Sequence, residues 1–177
     1  GRHMKGLIHI YCGDGKGKTT AATGLAVRAA GCGMKVLLVQ FLKGQETGEL
    51  RALAHIPGIT VLRGKASEKF TFQMDERELQ QTYDLNTKNL LTAVEQARAG
   101  ACDLLVLDEV MGALSCQLID EDLLRSLVEQ KPERLELVMT GRNPPDWLIE
   151  AADYVSEIKK VKHPYDRGVS ARRGIEM

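Results

Sequence analysis

The 177 residues carry 24 Lys plus Arg against 24 Asp plus Glu, so no global field draws the chain toward nucleic acid or an anionic membrane. Hydrophobic residues make up 44%, but no apolar run approaches the roughly 18 residues of a membrane span, so a soluble, cytoplasmic protein with a full core is expected. Four scattered cysteines, Cys12, Cys32, Cys102 and Cys116, show no metal-ligand spacing and argue for a reduced intracellular protein rather than a disulfide framework.

Residues 1–4, Gly1-Arg2-His3-Met4, read as a cloning scar, which removes His3 from any site and leaves 5–177 as a single domain. Leu7 to Cys12 is a short apolar run ended by glycines, the pattern of a buried strand. From Thr19 to Cys32, Ala21, Ala22, Leu25, Ala26, Ala29 and Ala30 recur at helical spacing, closed by Gly31 and Gly33. Lys35 to Phe41 is apolar nearly throughout, as a parallel strand covered on both faces tends to be. Strand, loop, helix and strand in that order make a βαβ unit. Further strands are expected at Ile59–Leu62, Leu104–Leu107 and Leu135–Met139, with a weaker one at Tyr154–Ile158. Helices are expected at Glu76–Ala99 and Glu121–Glu129, and another starts after Pro144-Pro145. Gly64–Asp75 and His163–Met177 show no period and read as functional loops.

Between the first strand and the first helix lies Gly13-Asp14-Gly15-Lys16-Gly17-Lys18-Thr19-Thr20, a phosphate loop. Glycines let successive backbone N–H groups turn onto one anion, Lys18 supplies charge, and the Thr19 hydroxyl suits Mg²⁺. The helix N-terminus adds partial positive charge. The strict pattern has glycine where this chain has Cys12. Leu104-Leu105-Val106-Leu107-Asp108-Glu109 is the expected partner, an apolar strand delivering a carboxylate to the metal; either acid could be the one in contact. Lys16 would add charge near the triphosphate, whereas spacing alone puts Arg28 on a solvated helix face.

A phosphate loop leaves the reaction open. Thr140-Gly141-Arg142-Asn143 stands where a GTPase would carry Asn-Lys-x-Asp, so that class falls. A RecA-type ATPase with Glu109 orienting water remains, as does a small-molecule kinase with Arg172 and Arg173 as a clamp. Phe70 and Phe72 either tuck their loop onto the core or serve a site. The Lys159, Lys160, Lys162, Arg167, Arg172 and Arg173 cluster is either a solvated surface or an anion contact.

Several stretches taken together resemble the P-loop type of ATP:corrinoid adenosyltransferase. They are Gly13–Ala22, Val39-Gln40-Phe41-Leu42-Lys43-Gly44, Val106–Glu109, Thr140-Gly141-Arg142 and the ending Val161–Val169 with Arg173-Gly174-Ile175. That family also lacks the first loop glycine, which accounts for Cys12. The resemblance implies an α/β P-loop NTPase (RecA-like) fold with a mostly parallel central sheet flanked by helices. It implies transfer of the 5′-deoxyadenosyl group of ATP to the cobalt of a reduced corrinoid such as cob(I)alamin, with release of triphosphate. Gly13 to Thr20 and Arg28 would hold ATP, and Thr19, Asp108 and Glu109 the Mg²⁺. Lys18 would be catalytic, together with Phe70 and Phe72. Phe70-Thr71-Phe72 matches the family's Phe-Thr-Trp with phenylalanine for tryptophan, the aromatics associated with displacing the corrinoid's lower ligand. His163 is expected to be structural or a substrate contact. A homodimer and a reduced flavoprotein as electron donor are further implications, with no nucleic-acid or membrane partner. The alternatives are the RecA-type ATPase and a nucleotide-gated corrinoid carrier.

Overall fold

The computed structural model describes residues 4–42, 47–64 and 69–177. Lys43 and Gly44 of the strand-end motif, and the part of the Gly64–Asp75 loop at 65–68, lie outside the described residues, as does His3. In chain order the elements are β1 (Ile8–Cys12), α1 (Lys18–Gly31), β2 (Val36–Gln40), α2 (Gly48–Leu53), β3 (Ile59–Arg63), α3 (Glu76–Arg98), β4 (Leu104–Asp108), α4 (Val110–Ser115), α5 (Glu121–Glu129), β5 (Glu136–Gly141), α6 (Asp146–Ala151) and β6 (Tyr154–Glu157). The six strands form one sheet in the order β3-β2-β4-β5-β1-β6. Every pairing in it is parallel, so the sheet is wholly rather than mostly parallel.

Period-2 alternation assigns each strand residue to one of two cores. Leu37, Val39, Leu105, Leu107, Leu137 and Met139 face a layer built from α3, α4, α5 and α6. Val36, Leu38, Leu104, Val106 and Val138 face α1, which meets them with Ala22, Ala26 and Ala29. Small side chains there let the helix axis approach the sheet closely, which sets how near its N-terminus comes to the strand ends. By the same alternation Gln40, Asp108 and Thr140 continue the α1-facing rows at the carboxyl ends of β2, β4 and β5, and all three are buried.

Each expected strand and helix is present, with ends moved by one or two residues. The short helices α2 and α4 were not expected. Each spans six residues, fewer than two turns, too short for a 3.6-residue period to register. The expected helix after Pro145 begins at Asp146, with Pro145 as its cap residue. Among the described residues, each of the two unassigned loops contains one 3₁₀ turn, at Thr71–Gln73 and Pro164–Arg167. Cys12 and Cys102 are buried free thiols, and burial pushes the Cys102 thiol up to about 11. Among the described residues no helix is long and apolar enough to cross a membrane.

Because Ala26 is fully buried against the sheet, Ala26→Leu should overpack this interface and cost about 1–3 kcal/mol. Urea denaturation with an unchanged slope would show it as a lowered midpoint.

Candidate nucleotide-binding site

The phosphate loop leaves β1 at Gly13 and enters α1 at Lys18. Gly13 has φ +108° and Gly17 φ +122°, both in the region that favours glycine. A second constraint acts from above. The chain leaving β6 crosses the loop: Ile158 N–H donates to Cys12 O at 2.8 Å, and Gly15 N–H donates to Ile158 O at 2.9 Å. A Cβ at Gly13 would stand 2.2 Å from Ile158 O, and one at Gly15 2.8 Å from the Ile158 side chain. These two glycines therefore serve a backbone crossing, a demand separate from any anion contact. The Asp14 carboxylate faces outward, where Oδ1 accepts from Lys160 N–H at 2.9 Å. That bond holds its carboxyl below the usual range. Asp14 is thus an anchor for the C-terminal segment.

Lys18 Nζ donates to Gly15 O at 2.9 Å, curling its ammonium over the loop. Thr19 Oγ1 donates to Asp108 Oδ1 at 2.9 Å, which joins the first helical turn to the end of β4. Thr140 Oγ1 donates to the same Asp108 oxygen at 2.7 Å and accepts from Glu109 N–H at 2.9 Å. Thr140 reaches both because β5 is inserted between the phosphate-loop strand β1 and the acidic strand β4. Glu109 itself is left-handed, φ 63°, a conformation that disfavours side chains other than glycine, asparagine and aspartate. Its bond to Thr140 helps hold it there, and its side chain lines the cleft beside the loop.

That cleft is about 490 Å³. Gly15 to Thr20 and Thr23 form one wall, Thr47 to Glu49 and Glu109 another, and Gly174 to Met177 close the third. A hydroxyl and a carboxylate in contact at a strand end offer hard oxygen donors, the ligand set Mg²⁺ takes. Thr19 and Asp108 fit that ion, with Glu109 at the cleft wall.

The other expected residues are distributed differently. Arg28 is exposed and sits nine residues along α1 from Thr19, roughly 14 Å by helical rise; it does not line the phosphate cleft. Phe70 and Phe72 are 66% and 85% exposed and stack on each other, ring centroids 5.7 Å apart and 4° from parallel. They do not tuck the loop onto the core. Surface contacts tie their turn to the start of α3: Phe70 N–H donates to the Gln73 side chain, Lys69 pairs with Glu78, and Asp75 caps α3 through Glu78 N–H. The basic C-terminal segment is partly neutralised. Lys160 lies 3.4 Å from Asp166 and Lys159 4.0 Å from Glu157. Arg172 grips Glu176 through Nε and a terminal nitrogen, which holds the Glu176 carboxyl down at about 2. His163 caps its own turn, Nδ1 accepting from Tyr165 N–H at 3.1 Å. A neighbouring cleft of about 380 Å³ gathers Lys16, Lys159, Lys160 and Lys162 around it.

Sequence reasoning did not single out Thr140 or Ile158 as parts of the site. Thr140 stood in a quoted motif, but its role depends on which strand neighbours β4, and Ile158 acts only through its backbone.

Gly13→Ala should lower stability by about 2–4 kcal/mol, through backbone strain and the Ile158 clash. Gly17→Ala should cost less, since the nearest atom to a Cβ there is 3.7 Å away. Urea unfolding of both variants, without nucleotide, checks the order.

The family described as ATP:corrinoid adenosyltransferase BtuR/CobO/CobP matches residues 4–177. A corrinoid adenosyltransferase of a Sinorhizobium species is 36% identical over 97% of this chain and 80% of its own length. One of Escherichia coli is 32% identical over 97% of this chain and 86% of its own. Among solved structures, the cytoplasmic domain of EssC aligns with a TM-score of 0.51 at 16% identity, over 94% of this chain and 34% of that one, a likeness of fold alone. This chain spans about a third of that structure, but most of the length of the curated relatives. The full-length match and the two relatives place the chain in the ATP:corrinoid adenosyltransferase family.

Proposed function

We propose that this protein transfers the 5′-deoxyadenosyl group of ATP to the cobalt of a reduced corrinoid. The observation that carries the reading is the phosphate loop tied by Thr19 to a buried Asp108, in a chain that matches this family from end to end.

A Co(I) corrinoid is itself a strong nucleophile. Its electron pair attacks C5′, the C5′–O bond breaks, and that bond's electrons leave with triphosphate. The protein therefore has no nucleophile to activate; it must hold C5′ in line and stabilise the leaving charge. The loop amides from Gly13 to Thr20 and the Lys18 ammonium suit the triphosphate, with Lys16 at the cleft rim. Mg²⁺, held through Thr19, Asp108 and Glu109, would supply charge neutralisation there. Arg28 belongs to this reading by resemblance and would need to meet phosphate away from the cleft floor.

Phe70 and Phe72 favour this reading over a RecA-type ATPase. Two stacked, solvent-facing rings on a braced turn offer an apolar face with no donor atom. Such a face suits a flat macrocycle and can fill the lower axial side of cobalt without ligating it. A reduced flavoprotein as electron source, a homodimer and a cytoplasmic setting go with the same reading by resemblance. The zero net charge gives no support to a nucleic-acid or membrane partner.

The test is anaerobic incubation with chemically reduced cobalamin, ATP and Mg²⁺, read by the spectrum of light-sensitive adenosylcobalamin. Wild type should form it. Lys18→Ala should lose about 10²–10³-fold in kcat/KM. Phe72→Ala should lose activity that Phe72→Trp retains. Absence of the carbon–cobalt product from wild type would overturn the reading.

A further inference from the structure

Gln40 ends a strand whose other members, Val36 to Val39, are apolar and buried. It is 1% exposed, and among the described residues neither Nε2 nor Oε1 has a hydrogen-bond partner. Sheet register sets it beside Asp108. Neighbouring strands lie about 4.8 Å apart, so the carboxamide and the carboxylate leave the sheet side by side on the α1 face. Asp108 is bonded to Thr19 and Thr140; Gln40, one strand further out, is not.

The shortfall is not confined to Gln40. Thr23 Oγ1, one turn beyond Thr19 on α1, and Thr47 Oγ1 are also buried without partners among the described residues, and both residues line the phosphate cleft. Unmet hydrogen-bonding capacity of this kind opposes folding, because the polar atoms give up water and gain nothing in exchange. Methionine or leucine would fill the Gln40 position at no such cost. A glutamine retained there, next to the acid of a metal site, calls for a ligand that completes it.

The ligand chemistry follows from the neighbour. A water bound to a divalent cation is polarised and donates strongly, and a carboxamide oxygen accepts without adding charge. We propose that Gln40 is a positioning residue for the hydration shell of the nucleotide's Mg²⁺, its Oε1 accepting from a metal-bound water beside Asp108. It thereby selects Mg·ATP over metal-free ATP. This rests on reading the cleft as an ATP site and is independent of corrinoid transfer.

Gln40→Met and Gln40→Leu test it. Thermal unfolding without ligand and calorimetric titration with ATP, in Mg²⁺ and in EDTA, are compared with wild type. The proposal expects unfolding temperatures at or above wild type. It expects a dissociation constant for Mg·ATP weakened about 10-fold or more, with little change for ATP in EDTA. Variants that fail to fold, or melt lower with Mg·ATP binding intact, would show that Gln40 serves the fold through a buried water, and the proposal falls. Equal losses with and without Mg²⁺ also overturn it, as does a wild type with no preference for Mg·ATP. A wild type that prefers Mg·ATP yet makes no adenosylcobalamin would remove the transferase reading and leave this one standing.

Discussion

The Asp108 carboxylate is buried at 1% exposure at the end of β4, and the site is assembled around it. A carboxylate taken out of water must be hydrogen-bonded or it destabilises the fold. Here Thr19 brings the first turn of α1 and Thr140 brings β5 to the same oxygen. Those contacts fix the loop hydroxyl beside the acid, and Thr140 passes the constraint on to Glu109 N–H. The small-residue packing of α1 on β4 and β5 is what lets Thr19 come within 2.9 Å. Core packing and site geometry are thus one arrangement.

The C-terminal segment is built into this arrangement. Ile158 pairs with both Cys12 and Gly15, and Lys160 N–H binds Asp14, so the chain after β6 is laced onto the phosphate loop. The last residues then form a wall of the cleft, held in shape by Arg172 and Glu176. A segment rich in lysine and arginine is neither a bare anion trap nor a plain solvated surface. Lys159 and Lys160 pair with Glu157 and Asp166, and together with Lys16 and Lys162 they surround a cleft next to the phosphate loop.

Much of this was legible because the signals are local. Gly13 to Thr20 sits between a strand and a helix, and each of those can be read from its own residues. Asp108 could be placed because an apolar strand leads into it. What escaped depends on distant chain. Thr140 matters only because β5, far along the sequence, is inserted between β1 and β4. Gly13 and Gly15 look like phosphate-loop residues in sequence, yet the Ile158 backbone imposes its own steric demand on them. The Phe70–Phe72 motif was readable, but whether the rings point inward or outward was not. Helices α2 and α4 are too short to carry a period, and α4 follows a left-handed Glu109 that no local propensity favours.

The central claim is that this site breaks ATP at C5′ and leaves its three phosphates joined. Phosphorus NMR of a single turnover with reduced corrinoid and Mg·ATP tests that directly. The account predicts intact inorganic triphosphate, with its central and terminal resonances, equal in amount to the ATP consumed. ADP with orthophosphate as the accumulating products would contradict it, because the loop would then be holding a γ-phosphate for hydrolysis rather than a leaving triphosphate.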